Sequence, residues 1–324
     1  MFVYMLSSKR KMSKLKVLDL FCGAGGFSLG FRDEGFSVTG VDINPKSGEI
    51  FTLNKIGDFF EKDLTKENIT GEFDVIIGGP PCRPWSSINV KRRGIRHPDY
   101  SLLKSFFHHI FSLKPQAFLM ENVPPLSGDP GYISLIEKTA KEGYSVSFRR
   151  INYGHYGIGS QRKRLFTAGF REFGNDANSF FEKMENLKID PITIHQAIGK
   201  YEHFQMDEFP DHIWPQLNTI EKYREHYETG KFGWHKLKYD ESAPSFGNVM
   251  KTYILHPNAG NENFPVRVIS VREVLELLGF PSSYVFPSDM AMGMKYQMAA
   301  DSVSPLVSRQ MAFVLKQIIE NRSY

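Results

Sequence analysis

An apolar run, Phe73-Asp74-Val75-Ile76-Ile77, stops abruptly at Gly78-Gly79-Pro80-Pro81-Cys82-Arg83-Pro84-Trp85-Ser86, and few folds can use such a stretch. The run reads as a buried parallel strand. Two glycines and two prolines then end it and hold the backbone in an extended turn. One thiol, Cys82, is thereby presented at a strand end. A free cysteine is more often a small buried hydrophobe than a reactive group, so what the rest of the chain supplies decides between the two.

The chain has 324 residues, enough for a full core and for two domains. With 41% hydrophobic and 23% charged residues it belongs among ordinary soluble globular proteins. Forty Lys and Arg against 36 Asp and Glu leave +4, a balance compatible with nucleic acid but not demanding it. Two cysteines, Cys22 and Cys82, cannot build a disulfide framework or a zinc site, so a reducing compartment is expected and any cysteine chemistry is nucleophilic or absent. No apolar span is long enough for a membrane helix. The apolar run Phe2-Val3-Tyr4-Met5-Leu6 is too short for a signal-peptide core, and Met1 to Met12 read as a loose leader. No internal repeat or low-complexity tract is present.

Leu15 to Leu20 has the pattern of a first strand, and Phe21-Cys22-Gly23-Ala24-Gly25-Gly26-Phe27 leads from it into a helical pattern. Glycines at such a turn let the backbone approach a ligand and aim helix N-terminal amides at it. Their spacing is neither the dinucleotide fingerprint nor a P-loop. The next strand, Ser37 to Asp42, ends in an acid about twenty residues on, where an open α/β sheet puts a carboxylate to bind ribose hydroxyls. A third unit ends in Lys62-Asp63-Leu64.

Past Cys82, the basic run Val90 to His97 is followed by Pro115 to Met120, an apolar run that ends in Glu121-Asn122-Val123 and is broken by Pro124-Pro125. A strand-like run, Tyr144 to Asn152, precedes Ser160-Gln161-Arg162-Lys163-Arg164. Arg162 and Arg164 alternate and so project to one face, as two cations would to clamp a phosphate and a base carbonyl. From about Gly174 to Pro265 the α/β rhythm fades into aromatics, histidines and polar residues whose spacings suggest no metal site. Ser270 and Glu273 form a capping box for a helix ending at Gly279. Tyr296 to Val303 opens a long terminal helix expected to run through Ile319.

In this order, Asp19-Leu20-Phe21-Cys22-Gly23-Ala24-Gly25-Gly26, the Pro81-Cys82 pair, Glu121-Asn122-Val123, the paired arginines and Ser302-Val303 resemble the DNA cytosine-5 methyltransferases of prokaryotic restriction-modification type. The resemblance covers nearly the whole chain. It implies a class I S-adenosylmethionine-dependent methyltransferase, an α/β Rossmann-like fold with a mostly parallel sheet and a smaller inserted target-recognition domain. The catalytic domain is expected over 13–172 plus 290–324, and the recognition domain over 173–289. Cytosine carbon 5 is a poor nucleophile until a thiolate adds to carbon 6, which is why this chemistry needs a cysteine and an acid at ring nitrogen 3.

By resemblance Cys82 is the nucleophile, Glu121 the acid, and Arg162 and Arg164 complete the catalytic set. S-adenosylmethionine is expected against Phe21, Gly23, Ala24, Gly26, Asp42, Ile43, Asp63, Leu64, Pro81, Leu102, Ser302 and Val303, with no metal. Ser86, Arg83, Arg92 and Arg93 are the expected DNA contacts, the basic run acting as a phosphate-gripping lid beside a flipped-out base. Arg83 is also a candidate for lowering the Cys82 pKa. Three positions depart from the family pattern: Arg83, Ser160 where a glutamine is usual, and Asp301 in place of asparagine. The expected partner is double-stranded DNA, with a cognate restriction endonuclease acting separately, in a prokaryotic cytoplasm and nucleoid-associated. The alternatives are a tRNA cytosine-5 methyltransferase on the same fold and a catalytically silent DNA-binding relative.

Overall fold

Every position of Lys16–Leu20 (β1) after the first is buried, and Gly23 and Gly25, both at positive φ, turn the chain into Gly26–Asp33 (α1). This is a computed structural model, and it describes residues 14–85, 94–172, 174–216, 220, 222 and 224–321. A Cβ on Gly25 would lie 2.6 Å from the Ile56 side chain, so both its backbone angle and its surroundings call for glycine. Ser37–Asp42 (β2) leads to Pro45–Leu53 (α2), where the Asn44 side chain accepts from the Lys46 amide and proline occupies the first turn. Asp58–Glu61 (β3), Val75–Gly78 (β4), Tyr100–Leu113 (α3), Ala117–Asn122 (β5), Pro130–Lys141 (α4), Tyr144–Asn152 (β6) and Lys163–Arg171 (β7) complete the series.

These strands form one seven-stranded sheet in the order β3-β2-β1-β4-β5-β7-β6. The first five are parallel, and β7 runs antiparallel to both β5 and β6. Strands β4 and β5 are buried along their whole length, as a sheet covered on both faces requires. Their side chains alternate between two cores: Val75, Ile77, Ala117 and Leu119 pack on one side, Ile76, Phe118 and Met120 on the other. Strand order reverses between β1 and β4. That switch point, at the carboxyl ends of the strands, is where open α/β sheets bind ligands.

Beyond the sheet come Asp176–Glu185 (α5), Ile194–Ile198 (α6), Arg224–Glu228 (α7), His235–Lys236 (β8), Ile254–Leu255 (β9), Val271–Leu277 (α8), Met292–Asp301 (α9) and Pro305–Glu320 (α10). Helix α5 packs on β6 and β7, with Phe180 against Phe170. Helix α10 returns to α1, approaching so closely that a Cβ on Gly30 would lie 2.3 Å from the Arg309 backbone nitrogen. The single long terminal helix expected from the sequence is therefore two, α9 and α10, broken at Ser302. Pro305 has no amide to continue the ladder and holds Ser304 extended, and the Ser304 hydroxyl caps the new helix through the Val307 amide. Among the described residues no helix is long and apolar enough to cross a membrane.

Candidate active site

The two turns singled out in the sequence leave from neighbouring strands at the switch point, the glycine turn after β1 and the Pro81-Cys82 turn after β4. Cys82 is half-buried. The turn carrying it closes through a 2.9 Å bond from the Trp85 amide to the Cys82 carbonyl. It is held to the neighbouring strand by Asn122, whose Nδ2 donates to the Pro80 carbonyl at 2.9 Å. Burial raises the Cys82 pKa above 9.0, the charges of Glu121 and Asp301 add to it, and Arg164 and Arg162 oppose them. The Arg83 guanidinium, 75% exposed, faces Asp99 at 3.4 Å. Arg164 and Arg162 reach the site from β7 and the residue before it.

Glu121 lies on β5 itself and is 7% exposed. Arg164 Nε stands 2.9 Å from its Oε1, yet the N–H is not aimed in line, and that oxygen has no well-aligned hydrogen bond. Burial consequently outweighs the pull of Arg164 and Arg162 and raises the Glu121 pKa, with Asp301 adding repulsion. A buried carboxyl that keeps its proton can donate it to an acceptor. Arg162 is 2% exposed, donates to the Ser302 carbonyl at 3.4 Å and is pulled down to about 10 by burial and by Arg164. Arg164 is the more exposed of the two arginines, with 17% of its side chain accessible. Arg162 lies one residue outside β7 and is turned inward, tying that strand to the α9–α10 junction.

On the other side of the switch point, Gly23 has φ +50° and open space where a Cβ would point, a cradle that any larger side chain would fill. Its amide donates to Asp42 Oδ2 at 2.9 Å, and Asn44 N donates to Oδ1 at 2.9 Å. Burial raises the Asp42 pKa against those two amides. Ile43 beside it is 64% exposed, an apolar surface at a strand end. Phe21 takes φ +62°, unusual for a bulky residue, directly before the glycines. These features fit a nucleoside-bearing cofactor. Ala24, Leu64 and Val303 are buried, and Pro81 and Leu102 are half-buried.

Other expected cofactor residues stand differently. A Cβ on Gly26 would fall 2.2 Å from the Val303 carbonyl, so this glycine serves the packing of α1 on the α9–α10 junction. The Ser302 hydroxyl donates to the Met298 carbonyl within its own helix end. Asp63 is engaged locally by the Thr65 hydroxyl and amide and by Lys66, which hold its pKa near about 2. Ser86, Arg92 and Arg93, with most of the basic run, lie outside the described residues.

Sequence reasoning missed several members of the site. Asn122 was passed over beside Glu121, although an amide at a strand end next to a turn is a natural clamp. Tyr153 is fully buried, its ring 6.0 Å from the Arg162 guanidinium, and burial raises its pKa with Glu121 adding to the shift. Asp19 is 1% exposed, accepts from the Ser28 hydroxyl at 2.7 Å and is pushed up to about 7 by burial. Gln161, one place from the usual glutamine position, accepts from Asn152 at 2.6 Å and donates to Ser242 at 2.8 Å, joining the β6–β7 connection to the 242–244 segment.

A doubly wound, mostly parallel sheet with a glycine turn and a thiol turn flanking its switch point defines a class I, Rossmann-like methyltransferase. Residues 15–318 match the C-5 cytosine-specific DNA methylase family, and the chain belongs to that family. It is a DNA (cytosine-5)-methyltransferase. It is 27% identical to the type II methyltransferase M.NgoPII of Neisseria gonorrhoeae, over 97% of this chain and 99% of that one. It is also 27% identical to the type II methyltransferase M.FnuDI of Fusobacterium nucleatum, over 84% and 86% of the two chains. Solved structures sharing the fold include the Entamoeba histolytica methyltransferase EhMeth (TM-score 0.73, 16% identity, 95% and 99% covered) and the S. pombe Dnmt2 methyltransferase (TM-score 0.71, 19% identity, 94% and 99% covered).

Proposed function

We propose that the chain methylates carbon 5 of a cytosine flipped out of double-stranded DNA, through a covalent bond between Cys82 and carbon 6. The observation that carries this reading is the meeting of the Cys82 turn and the buried Glu121 at adjacent strand ends, where a Cβ on Gly79 would lie 3.4 Å from Glu121 Oε2 and Asn122 holds the Pro80 carbonyl at 2.9 Å. S-adenosylmethionine would supply the methyl group; Gly23, Asp42 and Ile43 are the residues that would hold it, Asp42 through the ribose and Ile43 through the adenine.

The thiol proton leaves to solvent, and the thiolate forms the bond to carbon 6. Glu121 delivers its proton to ring nitrogen 3 as charge gathers there, and Arg164 holds the carboxyl in place. Carbon 5, now enamine-like, would take the methyl group as the sulfonium carbon–sulfur bond breaks, leaving S-adenosylhomocysteine. Loss of the proton from carbon 5 to solvent and of the sulfur from carbon 6 then restores the ring and the thiolate, and nitrogen 3 returns its proton to Glu121. The catalytic domain is proposed as 13–172 plus 290–324, with recognition carried by 173–289, of which α5 is built into the sheet layer. Ser86, Arg83, Arg92 and Arg93 are proposed DNA contacts. The names of the type II relatives support a role beside a separate restriction endonuclease.

Labelled methyl transfer to mixed-sequence duplex DNA and to tRNA, followed by bisulfite sequencing, tests this. The expected result is 5-methylcytosine in one short DNA context and none with Cys82→Ser. Normal product from that variant, or label confined to tRNA, would overturn the reading.

A further inference from the structure

Asp129 caps α4, and for that task one oxygen suffices: Oδ1 accepts from the Tyr132 amide at 3.0 Å. The same oxygen also accepts from the Tyr100 hydroxyl at 3.1 Å, while Oδ2 accepts from Trp85 Nε1 at 2.9 Å. The donors come from three separate places: α4, the first residue of α3 and the turn that begins at Cys82. Gly131 makes room for this meeting, and Gly94 lies against it. A Cβ on Gly131 would lie 1.7 Å from the Tyr100 hydroxyl, and one on Gly94 would lie 3.4 Å from Asp129 Oδ2. The Gly94 amide in turn donates to the Pro84 carbonyl at 2.9 Å.

Trp85 is 7% exposed, its ring 5.7 Å from that of Tyr100, and its indole N–H is a donor with no second role. Cys82 therefore sits between two anchors. On its N-terminal side Asn122 grips the Pro80 carbonyl, and on its C-terminal side Asp129 grips the Trp85 indole. Proline at 84 stiffens the short span between thiol and indole. A displacement of the indole is then passed to the sulfur, because the Trp85 amide closes the turn on the Cys82 carbonyl.

We infer that Asp129 is a positioning residue for the reaction, fixing the Cys82 turn through the Trp85 indole. The inference rests on Cys82 being the nucleophile. An asparagine at 129 keeps the Oδ1 acceptor that caps α4 but faces Trp85 with a donor, so it breaks the indole bond selectively. Trp85→Phe breaks the same bond from the other end while keeping an aromatic ring.

The test compares Asp129→Asn, Trp85→Phe and the double variant in steady-state methyl transfer, with S-adenosylmethionine affinity measured separately and Cys82→Ser alongside. Each single variant is expected to lower kcat about tenfold, the loss that accompanies one charge-assisted hydrogen bond. The double variant falls no further than the singles, and S-adenosylmethionine affinity stays within about twofold, since the bond lies away from the glycine turn. Unchanged kcat in the singles with Cys82→Ser inactive would overturn the positioning role alone, as would losses that multiply in the double variant or that follow cofactor affinity. Turnover by Cys82→Ser would instead bring down the nucleophile on which the inference stands.

Discussion

Two buried glutamates, each within 2.9 Å of an arginine, have opposite acidities. At the strand end, Arg164 Nε stands 2.9 Å from Glu121 Oε1 without a well-aligned hydrogen bond, and burial raises the Glu121 pKa. At the start of α8, Glu273 is fully buried too, but Arg267 donates to both of its oxygens at 2.8 Å and the Ser270 amide adds a third bond at 2.7 Å. Burial again pushes upward there, yet these bonds and the nearby His256 outweigh it and hold the Glu273 pKa below its ordinary value. The distance between the charges is nearly the same in both pairs. What differs is how many aligned donors meet the carboxylate, and that decides whether its pKa falls below or rises above the ordinary value.

Exchanging the two glutamates for glutamine breaks the comparison most sharply. Glu121→Gln is expected to cost at least about a hundredfold in kcat while the unfolding transition barely moves, because it removes a proton donor but strands no strong pair. Glu273→Gln should do the reverse, costing about 3–5 kcal/mol in urea unfolding by leaving Arg267 buried and unmatched. Activity per folded molecule should be close to normal. Replacing Glu273 and Arg267 together by Leu and Met should recover most of that stability, whereas the same exchange at Glu121 and Arg164 should recover no activity.

The two sites should also titrate in opposite directions. The pKa of Glu121 is raised above 4.5 on folding, so its contribution to stability is full below that value and is lost as pH rises through the folded pKa. Glu273, with its pKa lowered from 4.5, contributes above that value and loses its contribution as pH falls. Urea unfolding should show wild type losing ground to Glu121→Gln as pH rises above 4.5, and losing ground to Glu273→Gln as pH falls below 4.5. Slopes of the same sign would undo the distinction. The smallest effect belongs to a third pair, Arg309 and Glu34, also 2.8 Å apart but with the arginine 58% exposed. Arg309→Gln should change stability by less than about 1 kcal/mol, showing that burial and not distance gives the other two their weight.

What could be read from the sequence were features with a local signature. The strand, glycine turn and helix at Leu18 to Phe31, the proline-stiffened thiol, and Glu121 at the end of an apolar run each declare themselves within about ten residues. So did the capping box at Ser270 and Glu273, whose reciprocal bonds are both present. Yet Glu273 as a cap gave no hint of Glu273 as a buried ion-pair partner, because the groups around the pair, Trp214 and Phe264 at Arg267 and His256 at Glu273, are brought in by the tertiary fold. The link from Trp85 to Asp129 spans 44 residues and carries no periodic signal. Pro305 was a local signal and marks the helix break plainly. Arg162 and Arg164 alternate as expected, but alternation does not say which face is covered, and the α9–α10 junction covers the first of them.

The central claim is the sulfur bond to carbon 6, and duplex DNA carrying 5-fluorocytosine tests it most directly. With fluorine at carbon 5 there is no proton to lose, so the reaction stops with enzyme and DNA joined. Mass spectrometry of the joined peptide after incubation with S-adenosylmethionine should find the nucleotide on Cys82, with joining slowed in Glu121→Gln. DNA that stays free of protein, or a nucleotide attached to any other residue, would contradict the account.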